Sequence, residues 1–388
     1  MPKPHGSIDS GSLFDALVVG AGPAGSIAAR ELSRLGWRIL LVERATAGRD
    51  RVCGGFLGPE VVSTMAEAGL HESLSELAAV PLRRVIFSGP RLPAIEANLP
   101  GSGGRGVHRA TFDRWLTDQA ASAGTTVCFD AEVKRARRIG ALWQAVVQHR
   151  GEEASEPVSA KAMILACGRR HPRVPPHLRS RQFFGCKAIY AGCSSREPHV
   201  SLHFVRAGHV GFDPLPDGRL VMCLYVERTH LDAVKGDLDH MMERLAGENS
   251  QIAEVLRGGS RVSPWIGCDA NADGHEQFFE NGAFLVGDAV TMVNPIIGGG
   301  MSIAMGSALL LARLLVEGRA QQHDDRAIAS AYTQAWRARF SRLVSFGRWL
   351  GWCEQSPVAT RAILQLIRFR PHLLARLVLY SRPSVIDW

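Results

Sequence analysis

Three glycines in the stretch LVVGAGPAGSIAARELSRLGWRILLVER (Gly20, Gly22 and Gly25) stand in GxGxxG register, and an acid, Glu43, ends the next apolar run. The first glycine permits a tight turn, the second lets backbone approach a pyrophosphate, and the third lets helix and strand pack closely. Pro23 and Ala24 open a helix whose free N–H groups and dipole favour negative charge. The Glu43 carboxylate, about 20 residues after the motif, suits a ribose hydroxyl, and Arg44 follows it. Strand, glycines, helix, strand and acid in this order predict a dinucleotide site rather than a turn without a ligand.

A second constellation lies far downstream. In FLVGDAVTMVNPIIGGGMSIAMGSA, Gly287 and Asp288 follow an apolar run; Asn294, Pro295, Gly298, Gly299, Gly300 and Met301 then open another helix. An acid plus a second helix N-terminus suits a cofactor with a polyol chain and a ring that takes negative charge at one edge. FAD has both features and NAD has neither. Asp288 can accept from a ribityl or pyrophosphate-side hydroxyl. The N–H groups near Gly299, Gly300 and Met301 can stabilise charge at the N1–O2 edge of a reduced flavin.

Between the two, RVCGGFLGPE sets Cys53 before Gly54 and Gly55. Two residues without Cβ let the main chain run close to a flat ring. Cys53 has two readings: a buried inert thiol, or a polarisable group presented to ring or substrate. Its basic neighbour in sequence is Arg51. Lys187 in FFGCKAIYAG, and His203 and His209 flanking FVRAG, can orient a phenol, enol or carboxylate or donate a proton; each also has a structural or solvated reading. The histidines lack ligand spacing, so no metal site is expected.

The elements that must position these groups are legible in outline. Phe14 to Gly20 and Trp37 to Glu43 are apolar runs of buried parallel strands, with a helix from Pro23 to Leu35 between them. Val80 to Leu99 is strand-like, and a glycine-rich loop, GSGGRG, follows. VHRATFDRWLTDQAASAG has helical spacing, with Phe112, Trp115, Leu116 and Ala120 on one face. AKAMILACG is another buried strand, RRHPRVPPHLRSR a basic surface connection, and residues 181–265 alternate as an antiparallel sheet would. The first 13 residues read as a disordered lead. The tail LQLIRFRPHLLARLVLYSRPSVIDW mixes apolar and basic residues at helical spacing. It reads as a helix covering the core or as a lid or interfacial helix for a lipophilic substrate.

Composition bounds the function. The chain has 388 residues and 46% hydrophobic content, enough for a large core. Its net charge of +8 is spread along the chain without a nucleic-acid module, so no nucleic acid is expected. Eight scattered cysteines without a CxxC pair fit reduced thiols and a cytoplasmic setting. The start carries no apolar segment of a secretion signal, and no run approaches the ~20 apolar residues that span a bilayer. Peripheral membrane contact through the C-terminal helices stays open.

The sequence resembles the flavoprotein superfamily of p-hydroxybenzoate hydroxylase, geranylgeranyl reductases and flavin-dependent halogenases, over residues 14–320. The resemblance rests on GAGPAG with Glu43, on RATFDRWL, and on GDAVTMVNPIIGGGMSIAMGSA. It implies an α/β fold: a Rossmann-type (GR2-like) FAD-binding domain with an inserted antiparallel β-sheet substrate domain and a helical C-terminus. The FAD-binding domain is expected at residues 1–80, 100–180 and 270–325, the substrate domain at 81–99 and 181–269, and the C-terminal helical segment at 326–388. The resemblance places Arg109 against the cofactor, makes Asp288 the second FAD-binding acid, and aligns RVCGGFLGPE with a CGG segment along the isoalloxazine in the reductase branch.

Two departures bear on chemistry. Cys167-Gly168 stands where hydroxylases carry an Asp-Gly turn serving FAD and NADPH, with Arg169 and Arg170 behind it; GHVGFDPLPDG lacks the tryptophans of halogenases. The implied activity is an FAD-dependent oxidoreductase, taking electrons from NADPH or NADH directly or through a separate flavin reductase. The leading expectation is a monooxygenase of specialised metabolism that hydroxylates a small apolar aromatic or polyketide-like substrate through a flavin C4a–oxygen adduct. The alternative is a reductase of C=C bonds in an isoprenoid or other lipophilic substrate. Cys53, Lys187 and His209 are the expected catalytic groups.

Overall fold

The computed structural model describes residues 11–90, 92–170, 182–194, 197–206, 208–271 and 276–370. The N-terminal lead before residue 11, most of the basic connection (171–181) and the tail beyond residue 370 lie outside these.

The dinucleotide signature forms as its spacing requires. Strand Leu13–Val19 lies between Ile39–Val42 and Ser155–Leu165, and Thr126–Cys128 and Ala283–Leu285 complete a parallel run. Leu17, Val18, Leu40 and Leu41 are fully buried, as parallel strands covered on both faces demand. A hairpin, Ala131–Ile139 with Leu142–His149, and the edge strand Phe279–Glu280 extend this sheet to eight strands. Helix Pro23–Arg34 enters at Gly22. A Cβ on Gly25 would stand 1.8 Å from the Gly20 carbonyl oxygen, so only glycine lets helix and turn meet.

A second eight-stranded sheet runs Ser260–Arg261, Phe183–Ala191, Leu220–Glu227, Gly208–Pro214, Val200–Val205, Arg84–Ser88 and Ile95–Asn98, with Ile266–Asp269 also on Phe183–Ala191. It is antiparallel except for one pair: Val200–Val205 runs parallel to Arg84–Ser88. Alternation sorts its two faces. Val210, Phe212, Met222, Leu224 and Val226 pack on Met241, Met242, Leu245 and Ile252 of the helices at 238–255. The alternate residues face the first sheet.

Two expectations need correction. Part of GSGGRG is not a loop: Gly104–Gly106 is the central strand of a small sheet with Phe56–Leu57 and Val80–Leu82. Gly104 and Gly106 abut neighbouring atoms so closely that a Cβ would stand 2.5 Å from the Phe56 ring and 2.2 Å from the Pro214 carbonyl oxygen. Helix Gly300–Ala320 is long and apolar enough to cross a membrane by length and composition; 72% of its apolar window is buried, and it packs on Pro23–Arg34. The C-terminal segment, expected to be helical, contributes to the core. Helix Asp325–Glu354 inserts Ile328, Tyr332, Trp336 and Phe340, one every four residues, into the core that holds the dinucleotide helix. The Tyr332 hydroxyl donates to the Leu285 carbonyl at 3.1 Å.

Trp336 is fully buried and Trp352 is 69% exposed on the same helix. Trp336→Ala should therefore lower unfolding stability by about 3–5 kcal/mol, and Trp352→Ala should change it by less than about 0.5 kcal/mol, both read by chemical denaturation. Equal effects would contradict the shared core.

Candidate active site

One cavity of about 910 Å³ separates the two sheets, at the upper end of the roughly 300–1,000 Å³ typical of ligand sites. Its first end is the dinucleotide turn. Gly20, Gly22, Pro23 and Ala24 line it, and a Cβ on Gly22 would meet only open space. The helix behind has no side-chain cap, so its N–H groups stay available. Glu43 and Arg44 line the same end. The Glu43 carboxylate accepts from the Ala21 N–H at 2.9 Å and the Ala45 N–H at 3.0 Å, which fixes its orientation.

From there an ionic chain leads inward. Arg51 reaches Glu43 at 3.3 Å and Asp113 at 3.5 Å, and Asp113 takes a two-pronged contact from buried Arg109 at 3.1 and 3.0 Å. Burial alone would lower the Arg109 pKa, but Asp113, helped by the Cys53 thiol, raises it, so the guanidinium stays charged. Arg109 and Cys53 both line the cavity, as do Asp288, Pro295, Gly298, Gly300 and Met301 across from them. Helix Gly300–Ala320 also starts without a side-chain cap, and Gly300 faces open space.

Two uncapped helix N-termini, a ribose-side acid and a second acid thus converge on one elongated space. This donor set fits FAD: the first glycine turn and Glu43 would hold the adenosine diphosphate end, Asp288 the ribityl side, and the Gly300–Met301 N–H groups the pyrimidine edge.

Several predicted residues lie elsewhere. Gly25, Gly55, Gly287 and Gly299 are off the cavity wall and serve packing: a Cβ on Gly55 would stand 2.0 Å from the Val107 carbonyl oxygen, and one on Gly299 would stand 3.1 Å from Leu343. The pair after Cys53 therefore makes room chiefly for protein. At Gly54 the atom in the way is Asp213 Oδ2, 1.7 Å from where a Cβ would be. Lys187 is 3% exposed and donates to Asp50 at 2.6 Å, so it ties the substrate sheet to the Cys53 loop and is absent from the cavity wall. His203 points to the helix side of its sheet, between Ser88 Oγ at 2.7 Å and Ser201 Oγ at 2.9 Å, and burial lowers its pKa to about 4. Arg169 reaches Cys268 and the Asp269 carbonyl and lines the cavity; the Arg170 side chain lies outside the described residues.

His209 does face the cavity. Its Nδ1 pairs with Glu354 Oε1, Asn294 Nδ2 donates to the other carboxylate oxygen at 3.5 Å, and the Tyr225 ring stacks on the imidazole at 5.1 Å. Glu354 is a group that sequence reasoning missed, since its partner lies 145 residues away. Asp213 is another, and for it a signal existed: His209, Gly211 and Asp213 alternate along one strand and all three line the cavity. Burial pushes the Asp213 carboxyl up to about 7, against the pull of Lys187. Beyond His209 the cavity opens into an apolar chamber of Phe87, Ile95, Leu202, Phe204, Leu364 and Ile367, between the far strands of the second sheet and helix Pro357–Phe369.

Comparison with known proteins agrees with this geometry. Residues 14–185 match a family model described as an FAD binding domain, and residues 271–342 match one described as squalene epoxidase. The chain is 26% identical over 349 residues to digeranylgeranylglycerophospholipid reductase 2 of Methanopyrus kandleri, covering 86% of this chain and 84% of that protein. It is 26% identical over 361 residues to menaquinone reductase of Mycobacterium tuberculosis, covering 86% and 82%. The solved myxobacterial chondrochloren halogenase superposes with a TM-score of 0.76 at 22% identity, over 96% of this chain and 94% of that one.

Gly54→Ala forces a methyl group onto Asp213 and should cost about 1–3 kcal/mol of stability; in an Asp213→Ala background most of that cost should vanish, a coupling that a double-mutant cycle reads. Additive effects would refute the contact. Because the folded-state pKa of Asp213 is raised, its proton stabilises the fold at low pH and that contribution is lost as pH rises through about 7. Denaturation at pH 5 and pH 8 should show a stability drop that Asp213→Asn lacks.

Proposed function

We propose that the chain, an FAD-dependent oxidoreductase, belongs to the superfamily that includes p-hydroxybenzoate hydroxylase, geranylgeranyl reductases and flavin-dependent halogenases, and that within this group it is a reductase of carbon–carbon double bonds acting on a lipophilic, isoprenoid-bearing substrate. The observation that carries this reading is the continuity of one cavity, from the dinucleotide turn past Cys53 and His209 into the apolar chamber. Each methylene buried there contributes about 0.8 kcal/mol, so a branched hydrocarbon chain gains affinity along its whole length.

The two relatives described above are named as reductases of a geranylgeranyl lipid and of menaquinone. Those names favour this reading over the monooxygenase expected from sequence. When bound and reduced, FAD supplies the hydride. The chain's own residues hold the hydrocarbon, exclude water around it and keep the double bond between the Cys53–Gly54 loop and the His209–Asp213 strand. The outer face of helix Pro357–Phe369 exposes Val358, Leu366 and Phe369 beside Arg361 and Arg368, which suits contact with an anionic lipid surface that delivers such a substrate. The reading takes electrons from NADPH or NADH, directly or through a separate flavin reductase.

FAD-loaded protein reduced chemically without oxygen should saturate a geranylgeranyl-bearing lipid, detected as a mass gain of two hydrogens per bond. A product formed only in the presence of oxygen would establish the monooxygenase instead. Leu364→Trp fills the chamber and should raise KM for the lipid at least about tenfold while FAD affinity stays the same.

A further inference from the structure

We propose that Asp213 is the catalytic acid of this site: its carboxyl delivers the proton that completes saturation of the double bond. The inference rests on the reductase reading above. Adding two hydrogens across a C=C bond takes a hydride at one carbon and a proton at the other, and a positioned acid on the cavity wall can supply the proton.

Asp213 has the placement for that task. It is 6% exposed, yet it lines the cavity. Its Oδ1 has no hydrogen-bond partner among the described residues, while Oδ2 lies against the Gly54 main chain. A buried carboxyl oxygen left unmatched costs stability and calls for a reason. Gly211, the next residue on the same face of the strand, also lines the cavity and has no side chain, so space stays open between His209 and Asp213.

The surroundings of Asp213 favour its protonated form more than water does. From strand Phe183–Ala191 the Lys187 ammonium acts on it, but that charge is paired with Asp50. From strand Leu220–Glu227 comes the Cys223 thiol, whose own pKa is pushed well up by burial and then by Cys53 and Asp213. From the Cys53 loop come the thiol and Gly54, with Arg109 behind them held by Asp113. On its own strand His209 is engaged by Glu354. Lys187 is the opposing charge, and burial outweighs it, raising the Asp213 pKa to about 7.

In the step, the Asp213 O–H bond breaks and a C–H bond forms at one alkene carbon, while the adjacent carbon receives the hydride and the π bond is consumed. The carboxylate left behind is steadied by Lys187 and regains its proton from water. The two electrons come from the reduced flavin, so atoms and charge balance.

The test combines two readouts. Infrared spectroscopy of the FAD-free protein should show a protonated carboxyl band that titrates near pH 7 and is missing in Asp213→Asn. In anaerobic single turnovers, Asp213→Asn should lower the saturation rate at least about 100-fold, with FAD affinity and lipid KM within about twofold, and Asp213→Glu should recover part of the rate. The wild-type rate should fall as pH rises through about 7. Absence of the band, or an Asn variant retaining more than about a tenth of the rate, overturns the proposal. Wild-type protein that shows the band and binds FAD but saturates no double bond overturns the reductase reading, and the donor role with it.

Discussion

The contact on which the rest depends admits no side chain. Gly25 in the first turn of helix Pro23–Arg34 sits against the Gly20 carbonyl, and a Cβ there would stand 1.8 Å from that oxygen. A Cβ on Gly20 itself would stand 2.5 Å from the Ala166 carbonyl, at the end of the neighbouring strand. Together they press strand, helix and strand into backbone contact, and this aims the helix N-terminus into the cavity. Any larger residue would tilt the helix away and remove the positive end of its dipole from the space where a pyrophosphate would lie. Electrostatics at this end of the site is thus a consequence of packing.

The other end is governed by the pleat of the second sheet. The central strands Gly208–Pro214 and Leu220–Glu227 have one face on the small helical layer and one on the cavity, and a shift of one residue would exchange them. The paired residues Gly211 and Cys223, and His209 and Tyr225, keep chemically capable groups together on the cavity face. Lys187 joins the two halves through Asp50, and helix Asp325–Glu354 closes the site from a third side. Gly351 lets that helix approach Asn294 so closely that a Cβ would stand 2.5 Å from its amide nitrogen, which brings Glu354 to His209.

How much of this was readable depends on the range of the interaction. The strand, helix and turn from Leu13 to Glu43 are specified by neighbours in sequence, and so is the entry to helix Gly300–Ala320; their signals survive without the rest of the chain. The strand at Gly104–Gly106 was hidden because its glycines serve close approach rather than looping, and composition cannot separate the two. The partners of Lys187 and His209 were hidden because hydrogen-bonded contacts across 137 and 145 residues leave no local trace. The Cys53-Gly54-Gly55 segment lay between these cases. Its lack of Cβ atoms was legible, but what occupied the vacated space, Asp213 and Val107, was fixed by tertiary structure alone.

Several buried charges of this fold are paired. Arg109 has Asp113, Arg339 has Glu67 at 2.8 Å, and Asp325 has both Arg138 and Arg319. Each pair offsets the cost of taking ions out of water. Asp213 has an orphaned oxygen, and a glycine is required at position 54 to make room for the other. An apolar residue at 213 would pack there without either penalty. What sets this carboxyl apart is its position on the cavity wall, and a group proposed to change protonation state during turnover needs such a place, buried but in reach of the substrate.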